Sequence, residues 1–175
     1  MLQLETIIMD WKTTLSFIVS ATLLILLGGW LLEASVLPIP TELNYSETEQ
    51  HLIRIWLQAA VVIGLILPGI SFLAHLRRPR ARSILGFYLL VLIIQIITEQ
   101  ILTGVFPSGL LLIIGPLYTA FRVWQLWQGQ QLMRADAEKR SNCDRGLLGL
   151  LWLMLLFWSA NLIVLGAIGW SQSTR

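Results

Sequence analysis

Long apolar stretches alternate along this chain with short polar ones, and the apolar stretches approach the ~20 residues that a helix needs to cross a bilayer. The first, Leu15 to Leu32, holds no charge and is closed by Glu33 and the Pro38-Ile39-Pro40 turn. Thr41 to Gln50 is polar and acidic, and a second apolar run extends from about Leu52 to Leu76. Arg77-Arg78-Pro79-Arg80-Ala81-Arg82 then sets four arginines around a proline, a residue that breaks a helix interior because it lacks a backbone donor. Ser83 to Phe106 is apolar apart from Gln95, Thr98, Glu99 and Gln100, and Pro107-Ser108-Gly109 reads as a tight turn. Leu110 to about Gln128 is the return run with Arg122 inside it, and two short-linked runs of this kind should pack as an antiparallel hairpin. Gly129 to Arg145 is dense in charge, its start continuing the fourth helix into water, and Gly146 to Trp170 is free of charge. The pattern predicts an all-α membrane protein: one polytopic domain over residues 1–175, a bundle of about five transmembrane helices near 14–36, 52–76, 83–106, 109–129 and 146–170.

Composition sharpens this. Hydrophobic residues make up 56% of the chain and charged ones 13%, about half the ~25% charge of soluble domains, so a polar surface cannot be assembled. The mean hydropathy is +0.74. The single cysteine, Cys143, excludes an intramolecular disulfide and a multi-thiolate zinc site. Ala34-Ser35-Val36 resembles a signal-peptide cleavage site, but the run before it exceeds a typical signal core and its leader carries Glu5 and Asp10 against Lys12 alone, so the first helix is read as retained. The net charge of +2 sits in short clusters beside apolar runs, the mark of cytoplasmic loops, so no nucleic-acid partner is expected.

Orientation follows from the basic residues, because short cytoplasmic loops hold the excess of Lys and Arg. An N-terminus inside places Lys12, Arg77, Arg78, Arg80, Arg82, Arg134, Lys139, Arg140 and Arg145 on the cytoplasmic side, and only Arg54 and Arg175 opposite. The expected topology is N-terminus inside, C-terminus outside. Tryptophan rings favour both headgroup levels: Trp11, Trp124, Trp127 and Trp152 fall toward the inner one and Trp30, Trp56 and Trp170 toward the outer, leaving Trp158 near mid-membrane.

Charges within a span are costly, so Glu99 and Arg122 are the leading candidates for a ligand or ion site. Gln95, Glu99 and Thr103 recur every four residues, and Thr119, Arg122 and Gln125 every three; each set lies on one helix face that should turn into the bundle. Glu99 sits ~10 Å and Arg122 ~20 Å below the outer turn, an offset that two leaning side chains or one water could close. Asn161 lies near the depth of Glu99 and completes the candidate set of Glu99, Arg122, Gln95 and Asn161. Self-compensation of the pair favours a structural role that fixes helix register over a ligand site. His51 and His75, ~36 Å apart along one helix, cannot share a metal, so neither metal nor cofactor is expected. Pro68-Gly69 and Gly115-Pro116 should kink the second and fourth spans, and Ser16 with Ser20 and Ala60 with Gly64 should let helices approach closely.

No hydrolase elbow, phosphate-binding loop, dinucleotide fingerprint or zinc-protease motif occurs, so an enzyme is not the expectation. The leading reading is a non-catalytic membrane accessory, assembly or scaffold subunit, with the lipid bilayer and other membrane-protein subunits as partners and Arg77, Arg78, Arg80 and Arg82 as its basic cytoplasmic contact. The alternative is a small transporter or channel built on Glu99 and Arg122; a membrane enzyme with Glu99 as its acid or base ranks third. The expected location is a cell membrane, a bacterial inner membrane ahead of an internal photosynthetic one.

Overall fold

A computed structural model describes residues 11–34, 36, 47–106, 108–135 and 142–173, and these form helices and turns with no strand among them. Helix α1 covers Trp11–Glu33. Helix α2, Glu47–Val61, passes through a π-helical turn, Val62–Ile66, into α3, Leu67–Ala74, making one continuous rod. Helix α4 is Pro79–Thr103; a short 3-10 turn, Ser108–Leu110, leads into α5, Leu111–Ala135; and α6 is Asn142–Ser173.

Four stretches, Lys12–Glu33, Glu47–Ala74, Pro79–Leu102 and Arg145–Ala167, are long and apolar enough to cross a membrane. Helix α5 has the length without the apolarity. It packs most extensively on α6, then on α4, and its polar residues face these neighbours, so the other helices shield a surface that lipid would not tolerate. The expected fourth span, near 109–129, is thus a helix, but it is not one of the four stretches apolar enough to cross a membrane, and its buried polar residues lie inside the bundle.

Proline explains the largest boundary difference. Pro79 does not interrupt the connector but opens α4 as its first residue, where the missing donor is one of the helix's unpaired groups anyway. The expected six-residue basic loop thus contracts to His75–Arg78, and Arg80 and Arg82 stand on the first turns of α4. Pro68 acts differently. Its ring removes the donor that would meet the Gly64 carbonyl four residues earlier, and the rod widens just before it, with the Leu67 N–H bonding the Val62 carbonyl.

Two apolar clusters hold the bundle. One joins Leu85 and Tyr88 of α4, Leu126 of α5, and Leu151, Met154 and Trp158 of α6, with the α2–α3 rod laid against its outside. The other joins Ala21, Ile25 and Leu32 of α1 to Val91, Leu110, Ile114 and Tyr118. Phe17 stacks on Phe121 at 3.6 Å between centroids and meets Tyr118 edge-on at 5.6 Å, locking α1 onto α5. Gly64 lies where the α6 indole presses closest: a Cβ there would stand 2.7 Å from the Trp158 ring. Ser16 and Ser20, by contrast, are exposed and line a surface groove with Lys12 and Phe121, so they are not the close-packing pair expected of them.

The outer surface is apolar over most of the helices' length, with Val19, Leu23, Ile70, Leu73, Ile101 and Ile163 all pointing outward. Alternating helix directions gather Lys12, Arg77, Arg78, Arg80, Arg82, Arg134 and Arg145 at one end of the bundle and Glu33, Glu47 and Glu49 at the other. Lys139, Arg140, Glu42 and Arg175 lie outside the described residues.

Candidate functional site

The polar stripes of α4 and α5 meet in the centre of the bundle. Arg122 is 1% exposed, Thr119 and Gln125 likewise, and Gln95 is 7% exposed. The guanidinium of Arg122 donates through Nη2 to Oε1 of Gln95, and the amide of Gln95 donates through Nε2 to Oε1 of Glu99. Gln95 therefore stands between the two charges and relays hydrogen bonding from one to the other, which explains how side chains offset by ~10 Å in backbone height are coupled. The sequence places the pair; it does not reveal the intermediary, because a glutamine four residues from a glutamate could as well have pointed past it.

The flat face of the Arg122 guanidinium lies 4.2 Å from the centre of the Trp158 ring, a cation–π contact in a desolvated setting. The Trp158 indole N–H in turn donates to the Tyr88 hydroxyl at 2.8 Å, and that hydroxyl donates to the Gly64 carbonyl, also at 2.8 Å. This is the carbonyl that Pro68 deprives of its helical partner, so a neighbouring helix supplies the donor that lipid could not. Trp158, the tryptophan whose depth did not fit a headgroup belt, is thus explained by its work at the centre of the bundle.

Asn161 joins the network from the side. Its amide nitrogen donates to Thr119 Oγ1 at 3.2 Å, and its carbonyl oxygen accepts from the Trp56 indole at 2.6 Å. Trp56, expected toward the outer interface, is half-buried against α6, stacked on Phe157 at 5.0 Å with its indole N–H satisfied by the Asn161 carbonyl. One polar network consequently ties α4, α5 and α6 to the α2–α3 rod.

A further group of buried polar atoms has no hydrogen-bond partner among the described residues: Thr14 Oγ1, the Tyr118 hydroxyl, Arg122 Nε and both amide atoms of Gln125 and Gln130. Apart from Thr14 on α1, all lie on α5. Each such atom costs about 1–3 kcal/mol if left unpaired, so this column is where water or a small polar ligand gains most by binding. The three-residue spacing of Thr119, Arg122 and Gln125 signals the column; Thr14 and Gln130 carry no comparable pattern.

The histidines stand apart from this region. His75 is buried at the end of α3 with Nδ1 against the Ser71 carbonyl at 2.8 Å, whereas His51 is exposed on α2. Among the described residues, no group of three His, Cys, Asp or Glu side chains is placed to hold a metal. Arg77, Arg80 and Arg82 are exposed and Arg78 half-buried at the basic end, about the connector between α3 and α4.

The class that this fold and site define is an all-helical bundle with four candidate membrane spans around a buried arginine bridged through an amide to a part-buried glutamate. No protein family matches the chain, and no curated protein or solved structure matches it either.

Proposed function

We propose that this chain is a multi-pass protein of the cell membrane that serves as a non-catalytic accessory, assembly or scaffold subunit of a larger membrane complex. The observation that carries this reading is the fully buried Arg122, whose charge is countered through Gln95 to Glu99 and covered by Trp158. A charge held this tightly fixes the register of α4, α5 and α6 against one another, as a rigid docking platform requires. The exposed arginines about residues 77–82 then offer a contact for acidic partners or anionic lipids at the inner face. Native electrophoresis of a mild-detergent extract tests this. The reading expects migration well above the mass of the chain or a pair of chains, and a single band at one- or two-chain mass overturns it.

A second reading, a small transporter or channel, draws on the buried atoms left without a hydrogen-bond partner among the described residues: Thr14 Oγ1, the Tyr118 hydroxyl, Arg122 Nε and the amides of Gln125 and Gln130. Polar atoms aligned in an otherwise apolar core are what a hydrated path needs. Flux of protons or small anions through liposomes that depends on Arg122 would promote this reading over the first, and Arg122→Gln is the variant to compare.

A further inference from the structure

Helix α2 contains no buried residue, and the rod Glu47–Ala74 is the least covered of the four apolar stretches. On its outward side stands Gln58, exposed, with no side-chain partner among the described residues. Its depth follows from its neighbour: Trp56 bonds Asn161, and Asn161 bonds Thr119, eight residues into α5. Thr119 thus lies ~12 Å below the outer end of α5 and Gln58 ~15 Å below it, at the middle of a ~30 Å hydrocarbon layer. An amide facing lipid at that level has lost its water without gaining a partner.

The surroundings of Gln58 are patterned. Ile55, Gln58 and Val62 follow the alternating three- and four-residue spacing of a helix–helix seam, and Ile66 and Ile70 continue the stripe beyond the π turn; all five are exposed. We propose that this face of α2 and α3 is the contact between two copies of the chain, packed side by side about a two-fold axis along the membrane normal. Two copies inserted with the same orientation bring equal depths together, so Gln58 meets Gln58 of the second copy. A primary amide is both donor and acceptor, and the two satisfy each other reciprocally. A single polar position within an otherwise apolar seam fixes the register of the two helices at its own depth. Arg54 flanks the stripe, where its long side chain can rise toward the headgroups. The pairing does not depend on the accessory reading and would hold for a transporter equally.

Disulfide trapping in native membranes tests it, in a Cys143→Ser background. Val62→Cys, on the same stripe with Gln58 left intact, is expected to give, on mild oxidation, a covalent dimer of twice the 19.8 kDa chain mass. Ile163→Cys, on α6 two residues from Asn161 and 73% exposed, is expected to stay monomeric. In bilayers at fixed protein-to-lipid ratio, energy transfer between labelled chains should show pairing weakened by roughly tenfold in Gln58→Leu, from loss of two reciprocal interhelical hydrogen bonds, and retained in Gln58→Asn. Equal trapping at both positions, trapping at neither, an adduct only to a different protein, or pairing unchanged by Gln58→Leu would overturn the proposal.

Discussion

Removing one oxygen, by Tyr88→Phe, tests whether the network around Gly64 and Trp158 carries the stability assigned to it. The hydroxyl donates to the Gly64 carbonyl and accepts from the Trp158 indole, both at 2.8 Å, and Tyr88 is fully buried. Phenylalanine keeps the ring, so packing is preserved while one carbonyl and one N–H lose their partners. Interhelical hydrogen bonds in membranes are worth ~0.6 kcal/mol on average and up to ~1.7, and two of them in a site that water cannot refill should cost about 2–3 kcal/mol. The dependence on Pro68 makes the argument specific. In a Pro68→Ala background the backbone N–H of residue 68 can reach the Gly64 carbonyl, and the cost of Tyr88→Phe should fall by about 1 kcal/mol, a coupling that a double-mutant cycle resolves. Reversible unfolding in mixed micelles, with all four variants measured under one condition, supplies the cycle. A Tyr88→Phe cost below ~0.5 kcal/mol, or the same cost with and without Pro68, would refute the reasoning.

Other expectations follow from the same contacts. Glu99→Gln should destabilise the bundle by about 1–3 kcal/mol by stripping the buried Arg122 of its counter-charge; an unchanged unfolding midpoint together with a lost transport activity would transfer the pair from structure to ligand binding. Gly64→Ala should cost about 1–3 kcal/mol through overpacking against the Trp158 ring, and combining it with Trp158→Phe should recover part of that loss in the same unfolding assay. Trp56→Phe should free the Asn161 carbonyl oxygen and speed hydrogen exchange in the α2–α3 rod while leaving α4 and α5 protected, as measured by mass spectrometry.

Much of this architecture is legible in hydropathy and spacing. The apolar runs mark the helices because lipid and water sort side chains by a simple rule, and the stripes Gln95–Glu99 and Thr119–Arg122–Gln125 reveal their shared faces because helical periodicity is local. Pro79 looks like a break yet starts a helix, whereas Pro68 needed three-dimensional context: it leaves the rod continuous because a turn can widen and a tyrosine 20 residues later can supply the missing donor. Trp56 needed the same context, since nothing in the sequence announces that its indole N–H meets Asn161 on α6. Gln58 reads as an unremarkable polar residue near a helix start until the height of α2 is fixed by that same bond. Tertiary pairing, which sequence periodicity does not encode, decided Pro68 and Trp56, whereas Pro79 starts its helix for a purely local reason.

The account rests above all on apolar helices inserted so that the arginine-bearing connector faces the cytoplasm. A single cysteine introduced as Arg77→Cys in a Cys143→Ser background, probed with a membrane-impermeant maleimide, tests this directly. Arg77 is exposed in the turn between α3 and α4. The account predicts labelling in inside-out vesicles and protection in right-side-out ones until detergent is added; labelling of intact right-side-out vesicles, or release of the chain into the supernatant by alkaline carbonate, would contradict it.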